Sequence, residues 1–108
     1  MESPPQYVTI AKVGDIPPGT CRTVDVQGIF LALCNVEGTY RVVDNTCPHA
    51  GGPLGEGQLQ GELLVCPWHG WRFNVRTGER QENPEIRVPV IEVRVLGEEI
   101  QVKVPLTL

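Results

Sequence analysis

The sequence predicts an all-β fold: an antiparallel β-sandwich or small barrel with a loop-rich insertion over about residues 44–78. Three observations carry that expectation. There are 15 valines against 3 alanines, a bias toward pleated, half-buried surfaces and away from helices. The 12 glycines and 10 prolines supply many tight turns. Apolar residues recur at every second position in several short runs, the period of a strand with one buried face. At 108 residues the chain has room for one core, so residues 1–108 are expected to form a single domain.

Taken in order, residues 1–6 read as a frayed tail and Tyr7 to Lys12 as a first strand, followed by a loop, "GDIPPGT". From Thr20 to Val43 the pattern is two consecutive hairpins, turning at Gln27-Gly28 and Glu37-Gly38. Two-residue turns fix the register. Val36 then faces Thr39, Asn35 faces Tyr40 and Leu33 faces Val42, while the first hairpin brings Cys21 opposite Cys34. Counted from its turn, that last pair is non-hydrogen-bonded, the kind in which side chains lie closest. A disulfide is conceivable there; reduced thiols are the reading preferred for a chain inside the cell. Between Asp44 and Gly78 glycine and proline interrupt the pattern, leaving short strands at Glu62–Val65 and Trp71–Asn74. The segment "IRVPVIEVRV" then alternates twice, with a phase slip between Val90 and Ile91 that suggests a bulge or a strand buried on both faces. A turn near Gly97 leads into "IQVKV".

Formal net charge is −4, with acids and bases interspersed, which counts against nucleic acid as a partner because phosphate binding needs a clustered positive field. "MESPPQYV" has neither the basic start nor the apolar run of a signal peptide, and no segment approaches the ~20 apolar residues of a membrane span. The expected setting is cytoplasmic, away from membranes.

Both histidines of the chain sit beside cysteines: Cys47 and His49 in C-x-H, sixteen intervening residues, then Cys66 and His69 in C-x-x-H. Thiolate and imidazole are the side chains suited to zinc and iron, and short spacings let one loop supply two ligands to one centre. Three readings compete. Structural zinc with two Cys and two His is disfavoured by the alternating order. Incidental loop residues would not gather every histidine into two tight clusters. The third is a [2Fe–2S] cluster with two cysteines on one iron and two histidines on the other.

The stretch "CPHAGGPLGEGQLQGELLVCPWHGWRFNVRTGE" resembles the cluster-binding segment of Rieske-type [2Fe–2S] ferredoxins, including GGPL after the first pair and HGWxF after the second. The preceding hairpins, the "NVRTGE" turn and the terminal "VPVIEVRVLGEEIQVKV" follow the family's order of elements, so the resemblance covers most of the chain. It implies one [2Fe–2S] cluster held by Cys47, His49, Cys66 and His69, and a cluster-binding subdomain over about 44–78. It also implies that the two imidazoles lie at the protein's tip as the port for electrons. Neutral imidazoles in place of two thiolates leave the oxidised centre uncharged, which raises its potential into the range of roughly −150 to +300 mV.

Departures from the membrane-bound respiratory relatives are informative. Their two additional loop cysteines correspond here to Gly52 and Trp68, and their Ser and Tyr hydroxyls near cluster sulfur correspond to Trp71 and Phe73. Hydrogen bonds to sulfur stabilise the reduced state, so their loss implies a potential at the low end of the range. Trp71 and Phe73 are expected to shield the cluster, and Trp68 to contact a partner.

These features imply a monomeric carrier that takes one electron from a flavin-containing, NAD(P)H-dependent ferredoxin reductase to the terminal component of a Rieske-type dioxygenase. The alternative is a small subunit of an NAD(P)H-dependent nitrite reductase. The chain is not expected to be an enzyme itself, because an oxygenase needs a second iron site with histidine ligands and both histidines are already used.

Overall fold

The computed structural model describes residues 6–106. They form ten strands: β1 (Gln6–Lys12), β2 (Cys21–Val26), β3 (Ile29–Val36), β4 (Thr39–Asp44), β5 (Gln58–Gln60), β6 (Leu63–Val65), β7 (Arg72–Asn74), β8 (Val90–Ile91), β9 (Val93–Leu96) and β10 (Glu99–Val104). A single 3-10 turn spans Leu54–Glu56. All pairings are antiparallel and make three sheets, β1-β10-β9, β2-β3-β4-β8 and β5-β6-β7. The expected all-β architecture is observed. Of the expected frayed tail, residues 1–5 lie outside the described residues, and Gln6 already pairs with Val104.

The two hairpins have the expected register, with Cys21 opposite Cys34 and Val36 opposite Thr39. Both turns take a left-handed backbone at two successive positions, a form whose twist matches that of the flanking strands. Gln27 (φ 54°) with Gly28 (φ 85°), and Glu37 (φ 51°) with Gly38 (φ 95°), supply it. Each glycine amide donates to a side chain that closes the turn, Gly28 to Asp25 Oδ1 at 2.9 Å and Gly38 to Asn35 Oδ1 at 2.7 Å.

The middle sheet is buried on both faces, which explains why β3 reads "LALC" without alternation. Leu31 and Leu33 point to one core, with Val24, Val42, Ile91, Ile100 and Val102. Ala32 and Cys34 point to the other, with Val43, Cys47, Leu54, Leu64, Cys66 and Phe73. The first core joins the middle sheet to β1-β10-β9. The second joins it to the loop-rich lobe that carries both Cys/His pairs.

The phase slip at Val90–Ile91 is neither a bulge nor two-faced burial. It marks where the chain leaves one sheet for another: β8 pairs with β4, and after Glu92 β9 pairs with β10. The Lys103 amide donates to the Glu92 carbonyl at 3.0 Å and pins the crossing. The irregular register is instead in β1, between Thr9 and Ala11. Beyond β7 the lobe continues, since Arg80 bridges to Phe73 and the Gln81 amide donates to the Arg72 carbonyl at 2.8 Å. Among the described residues no helix is long and apolar enough to cross a membrane.

Candidate metal centre

Both Cys/His loops are closed in the same way. In the first, the Cys47 amide donates to the Gly52 carbonyl at 2.9 Å, and the Gly51 amide returns to the Cys47 carbonyl at 2.8 Å. In the second, the Cys66 amide donates to the Trp71 carbonyl at 2.8 Å, and the Gly70 amide returns to the Cys66 carbonyl at 3.0 Å. Each cysteine therefore begins a tight loop closed five residues later, with a left-handed glycine before the closure, Gly51 (φ 77°) and Gly70 (φ 73°). The equal loops explain how C-x-H and C-x-x-H serve one site despite their different spacings.

The loops lie face to face and sort their donors by type. Cys47 and Cys66 are 1% and 3% exposed and pack into the second core. Burial pushes the Cys47 thiol up in pKa, opposed by the amides of His49 and Ala50, which donate to its sulfur, and reinforced by the adjacent Cys66. Those amides favour negative charge on sulfur, the form that binds a metal. His49 and His69 are exposed, with ring centroids 4.7 Å apart and planes at 73°. Thiol thus meets thiol at the base and imidazole meets imidazole at the tip. One tetrahedral zinc would need four donors converging on a point, whereas here the donors are divided into a buried thiol pair and an exposed imidazole pair. The two-and-two arrangement fits a cluster whose irons have different ligands.

The surroundings support that fit. A Cβ added at Gly52 would lie 2.8 Å from Cys66 Sγ and 3.1 Å from Trp68 Cγ, so only glycine leaves the sulfur its space. The two positions expected to replace the respiratory loop cysteines, Gly52 and Trp68, are therefore neighbours. Trp71 stacks on His49 (centroids 4.1 Å, planes at 11°), while Phe73 is buried in the core with both cysteines. Trp68 is 56% exposed beside His69. Sequence reasoning missed Arg80, whose guanidinium carbon lies 3.4 Å from the Trp71 ring centre. His49 occupies one face of that ring, so sterics put Arg80 on the other. Eight residues lie between Trp71 and Arg80, and no periodic signal in the sequence could have joined them.

Comparison with known proteins agrees with this geometry. Ferredoxin CarAc of Metapseudomonas resinovorans is 35% identical over 98 residues, covering 89% of this chain and 92% of the relative. The ferredoxin component of a naphthalene 1,2-dioxygenase system from Pseudomonas aeruginosa is 31% identical over 98 residues, covering 90% of this chain and 94% of that protein. Among solved structures, a complex of reduced oxygenase and oxidised ferredoxin in carbazole 1,9a-dioxygenase contains a chain that superimposes with TM-score 0.85 at 33% identity, covering 94% and 96% of the two chains. A chain assigned as an NADH-dependent nitrite reductase small subunit from Mycobacterium tuberculosis reaches TM-score 0.83 at 24% identity, over 94% of this chain and 96% of that one, a likeness of fold alone. The Rieske [2Fe-2S] domain matches residues 6–102. The chain belongs to the Rieske [2Fe-2S] family, and its cofactor is a Rieske-type [2Fe-2S] cluster.

Proposed function

We propose that this protein is a single-domain, monomeric cytoplasmic electron carrier, which accepts one electron from a flavin-containing, NAD(P)H-dependent ferredoxin reductase and delivers it to the terminal oxygenase of a Rieske-type dioxygenase. Cys47 and Cys66 would ligate one iron, and His49 and His69 the other. When bound, the cluster supplies a reversible one-electron couple. The observation that carries the reading is the sorting of donors by depth, with thiols buried and imidazoles exposed. Charge on sulfur is held away from water by the core, while both imidazoles are open to a partner's surface. Trp71 fixes the plane of His49 by stacking, and the exposed Trp68 offers that partner an apolar contact. The oxygenase assignment is supported by relatives that are ferredoxin components of carbazole and naphthalene dioxygenase systems. The nitrite reductase alternative has only likeness of fold behind it.

The test is spectroscopic. As purified, the protein is expected to be red-brown, with two irons and two acid-labile sulfides per chain, and to give the low-average-g EPR signal of mixed His/Cys ligation when reduced. Replacing His49 or His69 by Ala abolishes that signal, whereas Cys21→Ser leaves it intact. A colourless protein with stoichiometric zinc, or loss of the cluster in Cys21→Ser, refutes the ligand assignment.

A further inference from the structure

We propose that Cys21 and Cys34 form an oxidisable dithiol, a modification site at which a hydroperoxide closes a reversible cross-strand disulfide beneath the cluster lobe. The two are register partners on β2 and β3, and both are free thiols here. Counting from the Gln27-Gly28 turn, theirs is a non-hydrogen-bonded pair, for which the Cα separation is about 4.5 Å. Disulfides accept separations of about 4.4–6.8 Å, so a bond closes without strand movement, at the tight and more easily reduced end of the range.

The two thiols are not equivalent. Cys34 is fully buried, whereas Cys21 is partly exposed at the edge strand β2. A surface hollow of about 340 Å³, lined by Gly19, Thr20, Cys21, Gly57, Gln58 and Leu59, gives a small peroxide access to Cys21. The Cys34 thiol donates to the Cys21 sulfur, which lowers the Cys21 pKa and, with burial, raises that of Cys34. Cys21 therefore ionises first and Cys34 keeps its proton. At rest the Cys21 thiol also donates to the Gly57 carbonyl at 3.2 Å, which holds its sulfur at the hollow's wall.

In the first step the Cys21 sulfur attacks the peroxide. An S–O bond forms as O–O breaks, and the departing hydroxide takes up the proton released by Cys21, leaving a sulfenic acid and water. In the second, the Cys34 sulfur attacks the Cys21 sulfur. S–S forms as S–O breaks, and hydroxide leaves as water with the Cys34 proton. Two thiols have then given two electrons to one peroxide.

The experiment treats the cluster-loaded protein with equimolar hydrogen peroxide, denatures it in iodoacetamide and maps tryptic peptides, since cleavage at Arg22 separates the two cysteines. The expected result is loss of two of the four alkylatable thiols, those at 21 and 34, and a cross-linked peptide lighter by two hydrogens. Dithiothreitol restores both thiols, and the visible spectrum of the cluster is unchanged. In Cys34→Ala, dimedone traps a sulfenic acid at Cys21. Mapping reads the thiols whether or not the cluster survives, so its outcome is separate from the ligand assignment. Full alkylation of both residues in the wild type, oxidation confined to Cys47 and Cys66, or a Cys21 inert to dimedone in Cys34→Ala overturns the proposal.

Discussion

Trp71 has a flat group on each side, one imidazole and one guanidinium, and this sandwich gives Arg80 a role its position in the chain does not announce. The Arg80 Nε is buried without a hydrogen-bond partner, and the nearby carboxylate of Glu82, 3.6 Å away, is engaged by Arg72. The Arg80 charge is thus held against the indole and shares the Glu82 carboxylate with Arg72. A unit positive charge roughly 8 Å from His49, largely screened by surface water, stabilises an added electron by on the order of 0.5–1 kcal/mol. For a one-electron couple that is about 20–40 mV, so Arg80→Gln is expected to lower the potential by that amount. Voltammetry at one pH measures it, and an unchanged potential shows that water screens the charge completely. Phe73 is the opposite case, a neutral ring in the core beside both cysteines. If the Phe73 ring faces the sulfur of Cys47 or Cys66, the new hydroxyl of Phe73→Tyr donates a hydrogen bond to it, and one such bond favours the reduced state by about 1 kcal/mol. The expected shift is upward by about 40 mV. A shift of zero or below with the cluster spectrum intact means that ring 73 does not face the sulfur.

Elements were legible in the sequence where local geometry alone determines them. A two-residue turn fixes every pair along its hairpin, so the partners of Cys21, Leu33, Asn35 and Val36 followed from arithmetic and are observed. The sheet change at Glu92 was not legible, because a phase slip looks the same whether the strand bulges or departs. β5 was missed because Gln-Leu-Gln has no pattern of its own and becomes a strand only by pairing with β6. The candidate ligands were legible as a set because metal chemistry restricts residue type and spacing together. Their sorting by depth belongs to packing that no spacing encodes. The start of β5 gives an element-level test. A Cβ at Gly57 would lie 1.9 Å from the Val65 carbonyl oxygen, on the facing strand β6, whereas one at Gly61 meets nothing within 4 Å. Gly57→Ala must push two paired strands apart, at about 2–3 kcal/mol or more. Gly61→Ala costs only the left-handed strain of its turn (φ 60°), about 1 kcal/mol. Urea denaturation of the two variants separates them, and equal losses would show that the β5–β6 hairpin yields freely.

The molecule as a whole is two cores divided by one sheet, and the candidate ligands belong to only one of them. Cys47 and Cys66 pack with Leu54, Leu64, Phe73 and Val75, while the core shared by β1, β9 and β10 contains no candidate ligand. Binding free energy contributes to folding where the site is built, so a cluster held by Cys47 and Cys66 is expected to stabilise the lobe directly and the remaining sheets only through β3 and β4. On the proposed ligation its removal would leave two buried thiols without their iron, with the flanking loops held by four main-chain hydrogen bonds. In the β1-β10-β9 sheet Ile100 and Val102 pack with Leu31, Leu33 and Val42, a core that includes none of the candidate ligands. Stripping the cluster with reductant and chelator is therefore expected to speed amide hydrogen exchange in the two loops and in β5–β7 at least tenfold, about 1.4 kcal/mol of lost local protection. Amides of β1, β9 and β10 should change by much less. That contrast would establish the lobe, expected over about residues 44–78, as a separately opening unit within one domain. Equal loss of protection in all three sheets would mean instead that the middle sheet couples both cores into a single cooperative unit, and that the cluster stabilises the entire fold.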